Sequence, residues 1–106
     1  MNDAPLVRHI VMWSLHDPAD APRFKAELDS CRGLVPGMLR FEVAIGPAPA
    51  GLEASADVLL DSTFASAEAL LAYQAHPHHK AVGARIGPMR RTRSVFDHFT
   101  PPQETP

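Results

Sequence analysis

Cysteine is nearly absent from this chain of 106 residues, and so is any long apolar run. The single Cys31 excludes an internal disulfide framework and a zinc site built from several cysteines. No run approaches the roughly 20 apolar residues of a membrane-spanning helix, and the first residues lack the basic head and apolar stretch of a signal peptide. We therefore expect a single domain in the reducing cytoplasm, with no membrane partner.

An excess of charge is also absent. Ten basic and twelve acidic side chains give a net charge of −2 at pH 7. Five of the bases follow Glu68, but a protein that binds nucleic acid usually carries a denser basic patch and a basic total. The sequence therefore predicts no nucleic-acid partner. Its content of 45% apolar and 21% charged residues is typical of a globular domain.

Prolines and glycines separate segments that have regular apolar patterns. Alternation predicts strands over residues 6–15, 38–45, 57–64 and 91–99. Helical spacing predicts one helix over residues 20–34, capped by Asp20, and a second, capped by Ser66, that His76-Pro77 breaks in two. The second helix takes its apolar side from Leu70, Leu71 and Tyr73. The order β-α-β-β-α-β predicts an α+β fold, the ferredoxin-like split βαβ with helices on one face of an antiparallel sheet.

In that fold the first and last strands are antiparallel neighbours. Matching apolar positions with apolar positions selects one register for this pair. The register places His9 beside Asp97, Val11 beside Val95, Trp13 beside Arg93, and, on the other face, Ile10 beside Phe96.

Two helices can cover only one face of such a sheet. The uncovered face keeps Ile10, Met12 and Phe96, which together are too apolar to lie in water. A second copy packed sheet to sheet would bury them, so we expect a homodimer.

His79 is the strongest candidate for chemistry. Its spacing from Val82 and Ile86 places all three on one helical face, so its ring should point inward. A histidine titrates near neutral pH and can take a proton from an acidic carbon beside a carbonyl. The alternative is a core histidine with one satisfied nitrogen.

Three nearby histidines, His76, His78 and His79, raise the question of a metal site. Pro77 interrupts the turn between them, and no cysteine or acidic partner lies close in sequence. We therefore predict no metal and no cofactor. Trp13 and Phe24 are either pocket lining or core.

The sequence resembles the Dabb family, the stress-responsive dimeric α+β barrel proteins, from Val7 to Phe99. The resemblance rests on the opening strand V-R-H-I-V-M-W, the V-P-G-M turn, A-D-V-L-L-D-S-T-F, Y-Q-A-H-P-H-H-K-A-V and the closing S-V-F-D-H-F. It implies a dimeric barrel, with residues 1–100 as the domain and 101–106 as a frayed Pro-rich tail.

One characterised type in this family is the olivetolic acid cyclase, which closes a polyketide chain by aldol condensation without metal or cofactor. By resemblance, its catalytic residues correspond to His79, Asp97 and Tyr73, with His9 lining the cavity. A further cavity histidine of the cyclase meets Val58 or Asp57 here, and Arg93 stands where the cyclase has an apolar wall. These departures imply a different substrate and a more polar cavity.

We expect one pocket per protomer, between the sheet and the helices, in which Asp97 orients His79 and Tyr73 donates a hydrogen bond to a carbonyl. The ligand is expected to be a small apolar or carbonyl-containing molecule. It would contact His9, Val11, Trp13, Phe24, Val82, Arg93 and Val95. Two alternatives stay open: a non-catalytic stress-response or ligand-binding dimer, and, by analogy of fold, a cofactor-independent monooxygenase.

Overall fold

The computed structural model describes residues 5–101, and the order of its elements is the predicted one. The strands are β1 (Leu6–Leu15), β2 (Met38–Ile45), β3 (Val58–Phe64) and β4 (Arg90–Thr100). The helices are α1 (Ala21–Asp29), α2 (Ala67–Ala75) and α3 (Pro77–Ile86), with single 3₁₀ turns at Pro18–Asp20 and Gly87–Met89. This is the predicted ferredoxin-like α+β fold. Most of the proposed tail, residues 102–106, lies outside the described residues.

The four strands form one antiparallel sheet in the order β2-β3-β1-β4. β1 and β3 are therefore central, and β4 is an edge strand. The predicted register between β1 and β4 is confirmed, since His9 pairs with Asp97, Val11 with Val95, Trp13 with Arg93 and Ile10 with Phe96.

The break between α2 and α3 follows from the local sequence. Ser66 begins α2 by accepting a hydrogen bond from the Ala69 N–H at 3.1 Å. Pro77 has no N–H and favours the first turn of a helix, so a new helix starts there. His76 caps that helix, because its Nδ1 accepts a hydrogen bond from the His78 N–H at 3.0 Å.

The first helix is shorter than predicted and is capped differently. It ends at Asp29 rather than near residue 34, and the chain then turns through Gly33, whose φ of 80° is in the left-handed region. Asp20 makes no capping hydrogen bond. Asp17 does so one turn earlier, accepting from the Ala19 N–H at 3.0 Å, because proline allows a 3₁₀ turn to precede the helix.

The core lies between the helices and one face of the sheet. Phe24 and Cys31 are fully buried there, so both are packing residues of the core. The Phe24 ring meets the Trp13 ring edge-on, with 5.1 Å between their centroids. Leu71 differs from the prediction: its side chain is 63% exposed, and α2 packs through Leu70 and Tyr73, with Ala69 partly buried beside them.

No helix within residues 5–101 has both the length and the apolarity needed to cross a bilayer.

Replacing Phe24 with alanine should lower the free energy of unfolding by about 3–5 kcal/mol, because it leaves a cavity against Trp13. Leu71→Ala is the matched control, and its effect should stay within about 0.5 kcal/mol since the side chain is exposed. Urea denaturation measures both. A Phe24→Ala loss below about 1 kcal/mol would show that the core tolerates the cavity by collapsing.

Candidate functional site

A cavity of about 190 Å³ lies between the sheet and α3. It contains most of the side chains that the sequence singled out: His9, Val11, Trp13, Tyr73, His79, Val82 and Arg93. β1 supplies the floor, because its alternate residues point towards the helices. α3 supplies the facing wall through its inward stripe. The cavity therefore has apolar walls with a few polar groups converging on it, as a small-molecule site requires.

His9 is held by a short contact with Asp97. The His9 Nδ1 and Asp97 Oδ1 atoms are 2.6 Å apart, and the His9 side chain is 3% exposed. An ionised carboxylate can only accept, so Nδ1–H of His9 is the donor. The backbone is fixed too, since Ser62 Oγ donates to the His9 carbonyl oxygen at 2.8 Å. His9 is thus oriented from both its ring and its strand.

His79 has no comparable partner. Its Nδ1 is buried and makes no hydrogen bond to any described residue. Its ring packs edge-on against Tyr73, with 4.5 Å between centroids. Burial lowers the pKa of His79; the backbone of Gln74 opposes this, while the charges of His9 and Arg93 lower it further. His79 is therefore the neutral base form over a wider pH range than an ordinary histidine.

Asp97 hydrogen-bonds to His9, whereas we expected it to orient His79. Antiparallel pairing places residues 9 and 97 directly opposite each other on the helix side of the sheet, so their side chains meet first. No hydrogen bond between Asp97 and His79 is present. His9 and His79 instead reach the cavity from two different elements, β1 and α3.

Tyr73 lines the cavity from α2 but is only 1% exposed. Burial raises the pKa of its hydroxyl, and the neighbouring Cys31 thiol raises it further. Tyr73 is consequently a neutral hydrogen-bonding group and not a base. Its ring is also close to both histidines, with centroids 6.4 Å from His9 and 4.5 Å from His79.

Two predicted contact residues and Asp97 are not among the lining residues. Phe24 is fully buried behind Trp13, so it shapes the cavity only indirectly. Val95 is 42% exposed because β4 is an edge strand that no helix covers along this stretch. Asp97 acts from the same uncovered edge, through its bond to His9.

Arg90 lines the cavity and was missed by the sequence analysis. Strict alternation along β4 places residues 90 and 93 on opposite faces. The register shifts between Ser14 and Leu15, however, so that Leu15 pairs with Arg90 and Trp13 with Arg93. This bulge leaves Arg91 as an extra residue and brings Arg90 and Arg93 to the same face. No signal in the sequence marks it.

The H-P-H-H histidines point in different directions. His76 caps α3, and His78 Nε2 lies 2.8 Å from Ser30 Oγ outside the cavity. Only His79 lines the cavity. Within the part of the chain that the structure describes, no three histidine, cysteine or acidic side chains are grouped as metal ligands.

His79 should make stability depend on pH. In the unfolded chain it takes up a proton near the ordinary pKa of about 6.5, whereas in the folded chain its pKa is lowered. As the pH falls below about 6.5 the unfolded state binds the proton first, so folding stability drops until the pH reaches the lowered folded pKa. His79→Gln should therefore show a smaller fall in Tm than the unmodified chain between about pH 7 and pH 5. Calorimetry at matched ionic strength measures this, and an unchanged slope would contradict it.

Solved structures of other proteins share this fold. A dimeric protein of unknown function from Bacteroides fragilis is 21% identical, with 93% of this chain and 100% of that chain covered and a TM-score of 0.76. The hydroxynitrile lyase of Passiflora edulis is 17% identical over 94% and 97% of the two chains, with a TM-score of 0.75. A candidate antibiotic biosynthesis monooxygenase from Caulobacter crescentus is 18% identical over 91% and 90%, with a TM-score of 0.74. At these identities the likeness shows the fold alone.

No curated protein matches the sequence. The family comparison is decisive, because residues 7–100 match the family described as the Stress responsive A/B Barrel Domain, or Dabb. The match spans all four strands and all three helices. This chain therefore belongs to the Dabb family.

Proposed function

We propose that this protein is an acid/base enzyme that needs no cofactor and acts on a compact carbonyl compound in the cavity. The observation that carries the proposal is the unequal pair of histidines. His79 has a lowered pKa and an unpartnered buried Nδ1, whereas His9 has a carboxylate partner. Two titratable groups in contrasting environments are what a site needs to hold both a base and an acid at one pH.

His79 is the base in this scheme. In its neutral form it removes a proton from the carbon beside the substrate carbonyl, and the C–H electron pair becomes the carbon–carbon double bond of an enolate. The carbonyl π electrons move to oxygen. The apolar neighbours Val82 and Val11 exclude water and strengthen each polar contact.

His9 is the group that contacts the substrate oxygen in this scheme. Asp97 fixes its ring by accepting from Nδ1–H, which leaves Nε2 available to the substrate oxygen. Nε2 donates a hydrogen bond to that oxygen only when the ring is charged, because the neutral ring already carries its one proton on Nδ1. A charged His9 would be stabilised by the same carboxylate, as in other His–Asp pairs. Asp97 is therefore a positioning residue. Tyr73, which stays protonated, adds a neutral polar group to the wall.

The size of the cavity favours a compact substrate. Its 190 Å³ is below the roughly 300–1,000 Å³ usual for small-molecule sites. An extended polyketide chain would not fit, so the substrate differs from that of the cyclases in the family. Enolate formation is the first step of an aldol condensation, so the proposed proton transfer is that step carried out on a smaller carbonyl compound.

A non-catalytic ligand-binding dimer uses the same cavity without proton transfer. The monooxygenase alternative is supported only by the fold shared with the Caulobacter crescentus protein. The two histidines are not needed for simple binding, and this is why His79 decides between catalysis and binding.

We further propose a homodimer formed through the sheet face that the helices leave uncovered. Phe96 is 67% exposed and Met12 is 44% exposed on that face, beside the half-buried Ile10. An apolar patch of this kind is uncommon on a monomer. The Bacteroides fragilis protein of the same fold is dimeric, which supports the proposal.

Exchange of the methyl protons of pyruvate in deuterium oxide, followed by NMR in the presence of a chelator, tests the enzyme proposal. The unmodified chain should accelerate exchange, and His79→Gln should lose about 100-fold of that acceleration because general base catalysis contributes 10²–10⁴. Asp97→Asn should lose part of it, since His9 is then less firmly held.

His78→Gln is the matched control for that assay. It is the neighbouring residue on α3, but it contacts Ser30 outside the cavity, so its rate should equal that of the unmodified chain. Equal rates for His79→Gln and the unmodified chain would reject His79 as the base. A rate no faster than buffer would reject the enzyme proposal for this class of compound.

Sedimentation at micromolar concentration tests the dimer. The unmodified chain should sediment at twice its chain mass, and Phe96→Glu should convert it to monomer, because a charge cannot be buried unpaired at the centre of an apolar interface. Leu71→Glu, at an exposed site on α2, should remain dimeric. A stable monomer of the unmodified chain would overturn the prediction.

A further inference from the structure

The ionisable side chains that give the cavity its charge are all basic. Arg90 and Arg93 line it together with His9 and His79, and none of its lining residues is acidic. The Asp97 carboxylate, which is not among the lining residues, is already engaged by His9. The cavity therefore presents two permanent positive charges with nothing opposite them.

Neither arginine forms an ion pair with any residue between positions 5 and 101. The ion pairs within residues 5–101 involve Arg8, Arg32, Arg40, Arg85, Lys25 and His9. Arg90 and Arg93 are absent from them. Both are exposed, so they lie at the open end of the cavity rather than at its closed end.

The local backbone geometry explains why Arg90 and Arg93 lie on the same face of the sheet. The bulge at Arg91 turns Arg90 to the helix side of the sheet, where Arg93 already lies opposite Trp13. Bulges often re-aim a side chain beside a functional site. Two planar guanidinium groups on one face match the two oxygens of a carboxylate, which they bind by paired N–H···O contacts.

We infer that Arg90 and Arg93 bind a carboxylate of the ligand, so that the cavity accepts a compact carboxylic acid whose apolar part lies against Val11 and Trp13. One part of this inference rests on the proposed function. When the acid also carries a carbonyl, binding of its carboxylate at the open end of the cavity directs the carbonyl inward to His79 and His9. The substrate class of the proposed enzyme is then a small oxo acid.

Equilibrium binding tests the inference without any need for catalysis. The probes are benzoate and its neutral counterpart benzamide, titrated by calorimetry at about pH 8, above the ordinary histidine pKa of about 6.5, so that arginine supplies the positive charge. Benzoate should bind at least ten-fold more tightly than benzamide. Arg93→Gln should weaken benzoate about ten-fold, which is about 1.4 kcal/mol, and leave benzamide unchanged.

Arg91→Gln is the matched control. It removes the same charge from the same strand, but its side chain does not line the cavity, so benzoate affinity should be unchanged. Arg90→Gln is a second variant that should weaken benzoate in the same direction as Arg93→Gln. Thermal melting of each variant shows that the loss is not caused by unfolding.

Four outcomes would overturn the inference. Benzoate and benzamide could bind equally, neither could bind at millimolar concentration, or Arg91→Gln could weaken benzoate as much as Arg93→Gln does, as a general charge effect would. Tighter binding of inorganic phosphate than of benzoate would replace the carboxylate with a phosphate group.

The result is separable from that of the exchange assay. An unmodified chain that binds benzoate more tightly than benzamide but accelerates exchange no more than buffer does would reject the enzyme proposal and leave the carboxylate site standing. The expected loss of exchange in His79→Gln, together with equal binding of benzoate and benzamide, would reject the carboxylate site and leave the enzyme proposal standing.

Discussion

The antiparallel pairing of β1 with β4 determines most of the chemistry available to this molecule. Because residues 9 and 97 are directly opposite, a histidine that is almost fully buried receives a carboxylate partner at 2.6 Å. Without that partner, a buried imidazole that became charged would be strongly disfavoured. The same pairing brings Ile10 beside Phe96 on the opposite face and so creates the apolar surface proposed to dimerise. Site and interface are the two faces of one strand pair.

The second constraint is the break at His76-Pro77. In a continuous helix, the inward-facing residues before and after position 76 would follow one helix axis. A restart at Pro77 gives α3 its own axis and its own set of inward-facing residues. His79, Val82 and Ile86 then face the cavity. His76 caps α3 and so makes the restart possible, which explains why His76 does not reach the cavity beside His79.

Much of the fold followed from the sequence because its patterns are local. Alternation in residues 6–15 and 38–45 set the bounds of β1 and β2, and matching apolar positions set the register between β1 and β4. The His76-Pro77 pair located the helix break. α1 was predicted too long because its apolar stripe continues through Cys31 and Val35, whereas the backbone already turns after Asp29. Apolar spacing reports burial, and buried residues need not be helical.

The site was less predictable, because it depends on features that have no sequence signature. The predicted register already placed Asp97 beside His9, but Asp97 was expected to orient His79, because no pattern in the sequence specifies where α3 lies over the sheet. The bulge at Arg91 could not be foreseen, since β4 alternates acceptably on either side of it. One extra residue in an edge strand changes the charge of the cavity mouth.

The contrast between the two histidines is a consequence of which elements carry them. His9 is on a central strand with an edge strand beside it, so a carboxylate can reach it from the uncovered edge. His79 is on a helix whose inward face meets mainly aromatic and apolar groups, and burial outweighs the opposing effect of the Gln74 backbone, so a proton on its ring is disfavoured. Burial therefore disfavours the charged form of His79, whereas His9 has a carboxylate beside its ring. A ligand carboxylate held at Arg93 would neutralise one of the charges that keep His79 unprotonated, and this would make it easier for His79 to hold the proton that it removes. Charge at the mouth and basicity within the cavity are therefore coupled through a single arginine.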